Sequence, residues 1–259
     1  MKLTAWNGRC DPQAPLLVIG AGRSGSSLLA RIFGAHPDIC FDDENDFLAP
    51  KLWRVVWEHR RPRWIGANAD DGPDDRGQAE AAARRRLAPI VAQALVSILG
   101  IDPERTHWGY KEVWNGSATH RYGWDVYDLL FPRATWVHLT RHPLDFAGSC
   151  AAWNGDQLTD SYLEARLADW SAMVEFSRLR NSRERFYEIR YEDLVARPRS
   201  CVEPILAELG LAWLEACEIP LQRPIMASQR EHTKEQALLK RFRRSKLLAQ
   251  TAASLGYEL

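Results

Sequence analysis

No apolar run in this 259-residue chain approaches eighteen residues, so nothing in it reads as a membrane-spanning helix. The opening stretch, MKLTAWNGRCDPQAP, has no apolar segment of the kind a secretory leader carries. A cytoplasmic protein without a membrane anchor is therefore expected. Net charge is lacking too. Thirty-four basic residues cancel 34 acidic ones, which leaves no global field to draw in nucleic acid. Any nucleotide site must then be a local basic pocket. The five cysteines (Cys10, Cys40, Cys150, Cys201 and Cys217) lie far apart and contain no CxxC pair. They offer no zinc spacing and fit reduced thiols, so no metal is expected. Repeats and linkers are also missing. A composition 46% hydrophobic and 26% charged suits one globular domain spanning residues 1–259.

What is present is a strand, a glycine-rich turn and a helix start in direct succession. Leu16–Phe33 reads LLVIGAGRSGSSLLARIF, with Gly20 and Gly25 five apart, the spacing of a phosphate-binding P-loop. In nucleoside triphosphatases such a turn carries a lysine for the β/γ-phosphates, then a hydroxyl for magnesium. Here those two positions hold Ser26 and Ser27, and the nearest cation, Arg23, sits in mid-turn. The loop from Gly22 through Arg23, Ser24, Gly25 and Ser26 to Ser27 still offers backbone N–H groups and a helix N-terminus to an anion. It has lost the means to hold a magnesium triphosphate.

Further along, strands and helices alternate. His36-Pro37 closes the first helix and Ile39–Phe41 is a short strand; Lys51–Trp64 reads as helical, Asn68–Gly77 as an exposed polar loop. A helix comes next over Gln78–Leu99, with Leu87, Ile90, Val91, Ala94, Leu95 and Ile98 at helical spacing. His107–Val113 and Thr135–Thr140 are strands around a helix at Tyr122–Leu130, and Pro143 opens another helix. Asp160–Arg180 is a long helix, Phe186–Arg190 a strand, Cys201–Leu209 a helix, and Glu235–Leu255 a basic helical tail. This order predicts an α/β protein: a P-loop-type three-layer fold with a central parallel sheet flanked by helices.

The strand Thr135–Thr140 runs directly into Arg141, and Ser149 lies eight residues later on the next helix. Ligands of parallel sheets gather at the carboxyl ends of strands. An arginine fork beside a hydroxyl there suits a phosphate monoester.

Both segments resemble sulfotransferases that use 3′-phosphoadenosine 5′-phosphosulfate. Arg-Ser-Gly-Ser-Ser at 23–27 is similar to that family's 5′-phosphosulfate loop, departing only in Ser27, which keeps the hydroxyl. LTRHPLDFAGS matches its strand–Arg–x7–Ser–helix element for the donor's 3′-phosphate, carried here by Arg141 and Ser149. Tyr191-Glu192-Asp193-Leu194 recurs in the family at the corresponding place; a mainly structural role is expected, with Asp193 or a neighbour capping the next helix. The matches span about Leu16–Leu209. The resemblance implies sulfuryl transfer from this donor, with 3′,5′-adenosine bisphosphate as product, to an acceptor hydroxyl on a small metabolite, glycan or phenol. No metal is implied.

Sulfuryl transfer demands a base for the acceptor hydroxyl and positive charge on the sulfuryl oxygens and the leaving phosphate. Arg23 is the first electrophilic candidate, and Lys111, in GYKEVW, matches a second lysine of the family. The family's proline two residues after that lysine is Val113 here, which also closes the histidine-base route of the cytosolic animal enzymes. The tyrosylprotein branch uses a glutamate instead. Glu44, in Asp42-Asp43-Glu44, lies 21 residues beyond Arg23 as that branch requires, with Ala35-His36-Pro37-Asp38 between them also matching. Desolvation in a cleft is expected to raise its pKa, with Asp42 or Asp43 as substitutes. Lys51–Gly77, with Trp53, Trp57 and Trp64, is the candidate lid and acceptor wall, and Arg223–Lys234 a candidate adenine-side loop. The rival readings are a P-loop small-molecule kinase and a catalytically silent nucleotide-binding module.

Overall fold

The computed structural model describes residues 6–60, 73–114, 124–154, 159–180, 184–222 and 246–257. Five strands form one sheet: β1 (Leu16–Ala21), β2 (Ile39–Asp42), β3 (His107–Trp114), β4 (Thr135–Thr140) and β5 (Phe186–Arg190). Their order is β2-β3-β1-β4-β5 and every pairing is parallel. The helices between them are α1 (Ser26–Gly34), α2 (Leu48–Arg60), α3 (Pro73–Ile98), α4 (Trp124–Leu130), α5 (Pro143–Asn154) and α6 (Asp160–Arg178). After β5 come α7 (Tyr191–Ala196), α8 (Pro198–Glu208), a 3-10 turn at Glu215–Gln222 and α9 (Lys246–Ser254).

The run LLVIGA is apolar throughout because β1 is covered on both faces, as a central parallel strand must be. Side chains alternate across the sheet. Leu17 and Ile19 join a cluster with Trp108, Tyr110, Phe131, Trp136 and the Val91–Leu95 face of α3. Leu16 and Val18 pack on the opposite side with Leu29, Ile32 and Phe33 of α1, Val137, Leu139 and Ile205 of α8. These two clusters, one on each side of the sheet, make the three layers expected from the sequence. Gly20 is required by closeness: a Cβ there would stand 2.7 Å from the Leu139 carbonyl oxygen.

The direction in which successive strands are added to the sheet reverses around β1, which has β3 on one side and β4 on the other. That switch point opens a crevice at the carboxyl ends of the three strands. Several boundaries differ from expectation. Residues 73–77, expected in an exposed loop, belong to α3, because a proline's fixed φ suits the first turn of a helix. Helix α2 begins at Leu48 rather than Lys51. Residues 61–72, with Trp64, and 223–245 lie outside the described residues, and with them the middle of the candidate lid and all of the candidate adenine-side loop.

Candidate functional site

The turn after β1 is held in a shape that few residues tolerate. Arg23 has φ 73° and Gly25, which precedes the first residue of α1, has φ 98°. A Cβ on Gly25 would come 2.2 Å from Tyr191 Cδ2. Glycine is therefore demanded twice, by the left-handed backbone and by the aromatic ring against it. No acidic side chain occupies the first turn of α1, so the dipole and free N–H groups of its N-terminus face the crevice without a built-in counter-anion.

A cavity of about 580 Å³ opens there, and the sequence-predicted residues converge on it. Gly22, Arg23, Gly25, Ser26 and Ser27 line it from the loop, Arg141 and Ser149 from β4–α5, Lys111 from β3, and Asp43 and Glu44 from the loop after β2. Ser24 differs: it is fully buried behind the turn, and its hydroxyl has no hydrogen-bond partner. The cations are pre-arranged. Arg23 Nε donates to Ser149 Oγ at 3.3 Å while its guanidinium lies 4.4 Å from the Trp153 ring. Arg141 donates to the Arg23 carbonyl at 3.2 Å and stacks 4.6 Å from the Tyr191 ring, with its buried Nε unpartnered. A buried donor without an acceptor is costly unless something arrives to accept. Together the glycine cradle, two arginines, a lysine and three hydroxyls fit a ligand with two anionic ends.

Lys111 is 6% exposed, donates to Ser27 Oγ at 2.9 Å and pairs with Asp43 at 2.7 Å. Asp43 itself feels burial that would raise its pKa, yet the Lys111 hydrogen bond and charge win and hold its carboxyl below the usual range. It is a poor proton acceptor for that reason. Glu44 lines the same cavity but is exposed rather than enclosed in the cleft as expected.

Burial falls instead on Glu112, the next residue of β3, whose side chain takes the opposite face of the sheet. It is 1% exposed and accepts from the Phe47 backbone N–H at 3.1 Å and the Tyr127 hydroxyl at 2.7 Å. Burial pushes its carboxyl up to about 7, with the charges of Glu44 and Asp46 adding to the rise. Asp46 and Phe47 both have left-handed backbones, φ 54° and 57°. The acidic loop is thus clipped to β3 at two points: Asp43 by Lys111 on one face, Phe47 by Glu112 on the other.

Several cavity residues have no counterpart among the sequence-based candidates. Helix α5 turns Phe146, the expected Ser149, Cys150 and Trp153 inward, and α6 adds Tyr162 and Arg166. The first four stand at i, i+3, i+4 and i+7, a helical stripe visible in the sequence once Ser149 is taken as its anchor. Burial pushes the Cys150 thiol up to about 11, so it is no nucleophile at neutral pH. Tyr191, expected to be structural, lines the cavity. Asp193 caps no helix and instead pairs with Arg197 at 2.9 Å. Trp53 is no cleft wall: it is 4% exposed and stacks on Trp57 in the core. His36 is buried in its turn, 3.1 Å from the Ala212 carbonyl, as expected.

Among the described residues no group of His, Cys, Asp or Glu could hold a metal ion, and no helix is long and apolar enough to cross a membrane. The model of the Sulfotransferase family matches residues 15–215. A search of the curated proteins finds no match. Solved structures share the fold. The sulfotransferase domain of the Synechococcus PCC 7002 olefin synthase superposes with a TM-score of 0.56 at 18% identity, covering 96% of this chain and 97% of that one. The sulfotransferase domain of the curacin biosynthetic pathway gives 0.57 at 16%, covering 95% and 98%. A sulfotransferase from Alicyclobacillus acidocaldarius gives 0.54 at 17%, covering 95% and 97%.

Proposed function

The chain belongs to the sulfotransferase family, and from that premise we propose that it moves a sulfuryl group from 3′-phosphoadenosine 5′-phosphosulfate to an acceptor hydroxyl. The observation that carries this reading is the convergence of two anion-suited elements on one cavity, the 22–27 loop and the Arg141–Ser149 pair. Residues 1–259 act as a single domain, in the cytoplasm, without a metal.

The donor supplies an electrophilic sulfur and a good leaving group. This chain's residues do the rest. The loop amides with Ser26 and Ser27 hold the 5′-phosphate, and Arg141 and Ser149 hold the 3′-phosphate. Glu44 takes the acceptor's proton as the acceptor oxygen–sulfur bond forms and the sulfur–bridging oxygen bond breaks, releasing 3′,5′-adenosine bisphosphate. Arg23 and Lys111 stabilise the charge gathering on the sulfuryl and bridging oxygens. Asp43 holds Lys111 in place, and its lowered pKa supports Glu44 rather than Asp43 as the base. The acceptor is a small metabolite, glycan or phenol, faced by Phe146, Trp153 and Tyr162, whose rings suit a sugar or aromatic surface.

Calorimetric titration of 3′,5′-adenosine bisphosphate without magnesium, with ATP–magnesium in parallel, tests the donor assignment. Tight binding of the bisphosphate alone is expected. A preference for ATP–magnesium would overturn the reading in favour of a kinase, and bisphosphate binding without turnover on any hydroxyl acceptor would leave a silent nucleotide-binding module.

A further inference from the structure

The family match ends at residue 215, yet a residue 42 positions later packs against the two turns that carry Arg141 and Tyr191 to the cavity. Tyr257 comes after α9 and is 3% exposed. Its hydroxyl donates to Glu192 Oε2 at 3.1 Å and lies 3.3 Å from Thr140 Oγ1. The other oxygen of Glu192 accepts from the His142 backbone N–H at 2.8 Å. The Tyr257 ring meets His142 edge-on at 5.3 Å, and the Arg190 guanidinium lies 4.3 Å from its face. These four partners have a common property. Thr140 and His142 are the chain neighbours of Arg141, and Arg190 and Glu192 are the chain neighbours of Tyr191.

One tyrosine therefore ties the turn after β4 to the turn after β5, and the two residues that those turns present to the cavity stack on each other. Thr140 and Arg190 are also paired across the sheet, so the strand ends are in register and the tyrosine fixes the two turns that leave them. Arg141 reaches forward from this frame to the Arg23 carbonyl. A shift of either turn would move the guanidinium relative to the loop. We propose that Tyr257 is a positioning residue for the donor site: it sets the place of Arg141 through Glu192 and His142. The inference rests on the reading that Arg141 receives the donor's 3′-phosphate.

The test compares two nucleotides on the full chain, 3′,5′-adenosine bisphosphate and 5′-AMP, which differ by that phosphate. In the wild type the bisphosphate is expected to bind far more tightly. Tyr257→Phe, which removes only the hydroxyl, is expected to weaken bisphosphate binding roughly threefold to thirtyfold while 5′-AMP changes less than about twofold. Glu192→Gln, at the other end of the same hydrogen bond, should lower the same ratio. A lowered melting temperature with an unchanged ratio in both variants would overturn the proposal and leave Tyr257 as packing alone. A wild type that does not discriminate between the nucleotides would instead overturn the 3′-phosphate reading of Arg141, and the proposal with it.

Discussion

Replacing Glu112 by glutamine should stabilise the protein at alkaline pH relative to acidic pH. The carboxyl is 1% exposed and is raised from an ordinary 4.5 to about 7 by burial, against the pull of its hydrogen bonds from Tyr127 and Phe47. Below pH 4.5 the folded and unfolded chains both hold the proton. Between 4.5 and 7 the unfolded chain has released it and the folded one has not, so each rise in pH favours unfolding. Above 7 both are ionised and the loss is complete. A displacement of this size corresponds to about 3 kcal/mol at 1.36 kcal/mol per pH unit. Glutamine fills the same space, can still accept from the Phe47 N–H and does not titrate. The stability of Glu112→Gln minus that of the wild type should therefore climb by about 3 kcal/mol, nearly all of it between pH 4.5 and 7. Urea unfolding of both proteins across pH 4.5–8.5 measures this, and the difference cancels the titrating groups that do not interact with Glu112. A difference that stays flat, or falls as pH rises, would refute the assignment of a buried, proton-holding carboxyl at this position.

Four substitutions probe the cavity. Arg141→Ala should weaken 3′,5′-adenosine bisphosphate binding by about ten- to a hundredfold, the worth of a charge-assisted hydrogen bond pair, as read by calorimetry. Glu44→Ala should leave that affinity within about twofold while turnover falls by about a hundredfold or more; equal affinity losses in both variants would sink the division of roles. Asp43→Asn should loosen Lys111 and lower turnover, but by less than Glu44→Ala does, because a carboxyl held below its usual range is a weak base. Should it abolish turnover while Glu44→Ala does not, the base is Asp43. Gly25→Ala should cost at least about 1–2 kcal/mol of stability from its left-handed φ alone. Donor affinity should fall with it, since the new Cβ displaces Tyr191 from a cavity wall.

Local spacing makes half of the site legible. The 22–27 loop and the Arg141–Ser149 pair each lie within one strand–turn–helix unit, where chain geometry decides which groups face the same way. The resemblance to a family supplies Lys111 and Glu44, which no spacing within one element connects. Glu112 escapes a reading of the sequence because the alternation of β3 sends it to the far face from Lys111, and only the fold brings Phe47 and Tyr127 to it. Tyr191 reads as structural because the glycine it presses against is 166 residues earlier. The tryptophans mislead for a related reason. Trp53 sits in a basic, cleft-like segment but packs inward, while Trp153, 63% exposed, is the one beside Arg23. Composition cannot separate those two environments. The start of α3 is hidden because polar turn-forming residues precede and fill its first turn, and their local preference is overridden by the helix that continues from them.

The central place of β1 has a consequence for the ribosome. This strand is made first of the five, yet both of its neighbours, β3 and β4, come about a hundred residues later. At ordinary translation rates the six apolar residues of LLVIGA spend roughly 6 to 25 seconds without the strand that covers their second edge. A nascent chain halted between β3 and β4 would carry a central strand open along one edge and a phosphate loop that lacks Arg141 and Ser149. Production of this protein in a cell should accordingly depend on holding chaperones more than its modest size implies, and C-terminal truncations short of β4 should aggregate rather than yield a smaller soluble domain.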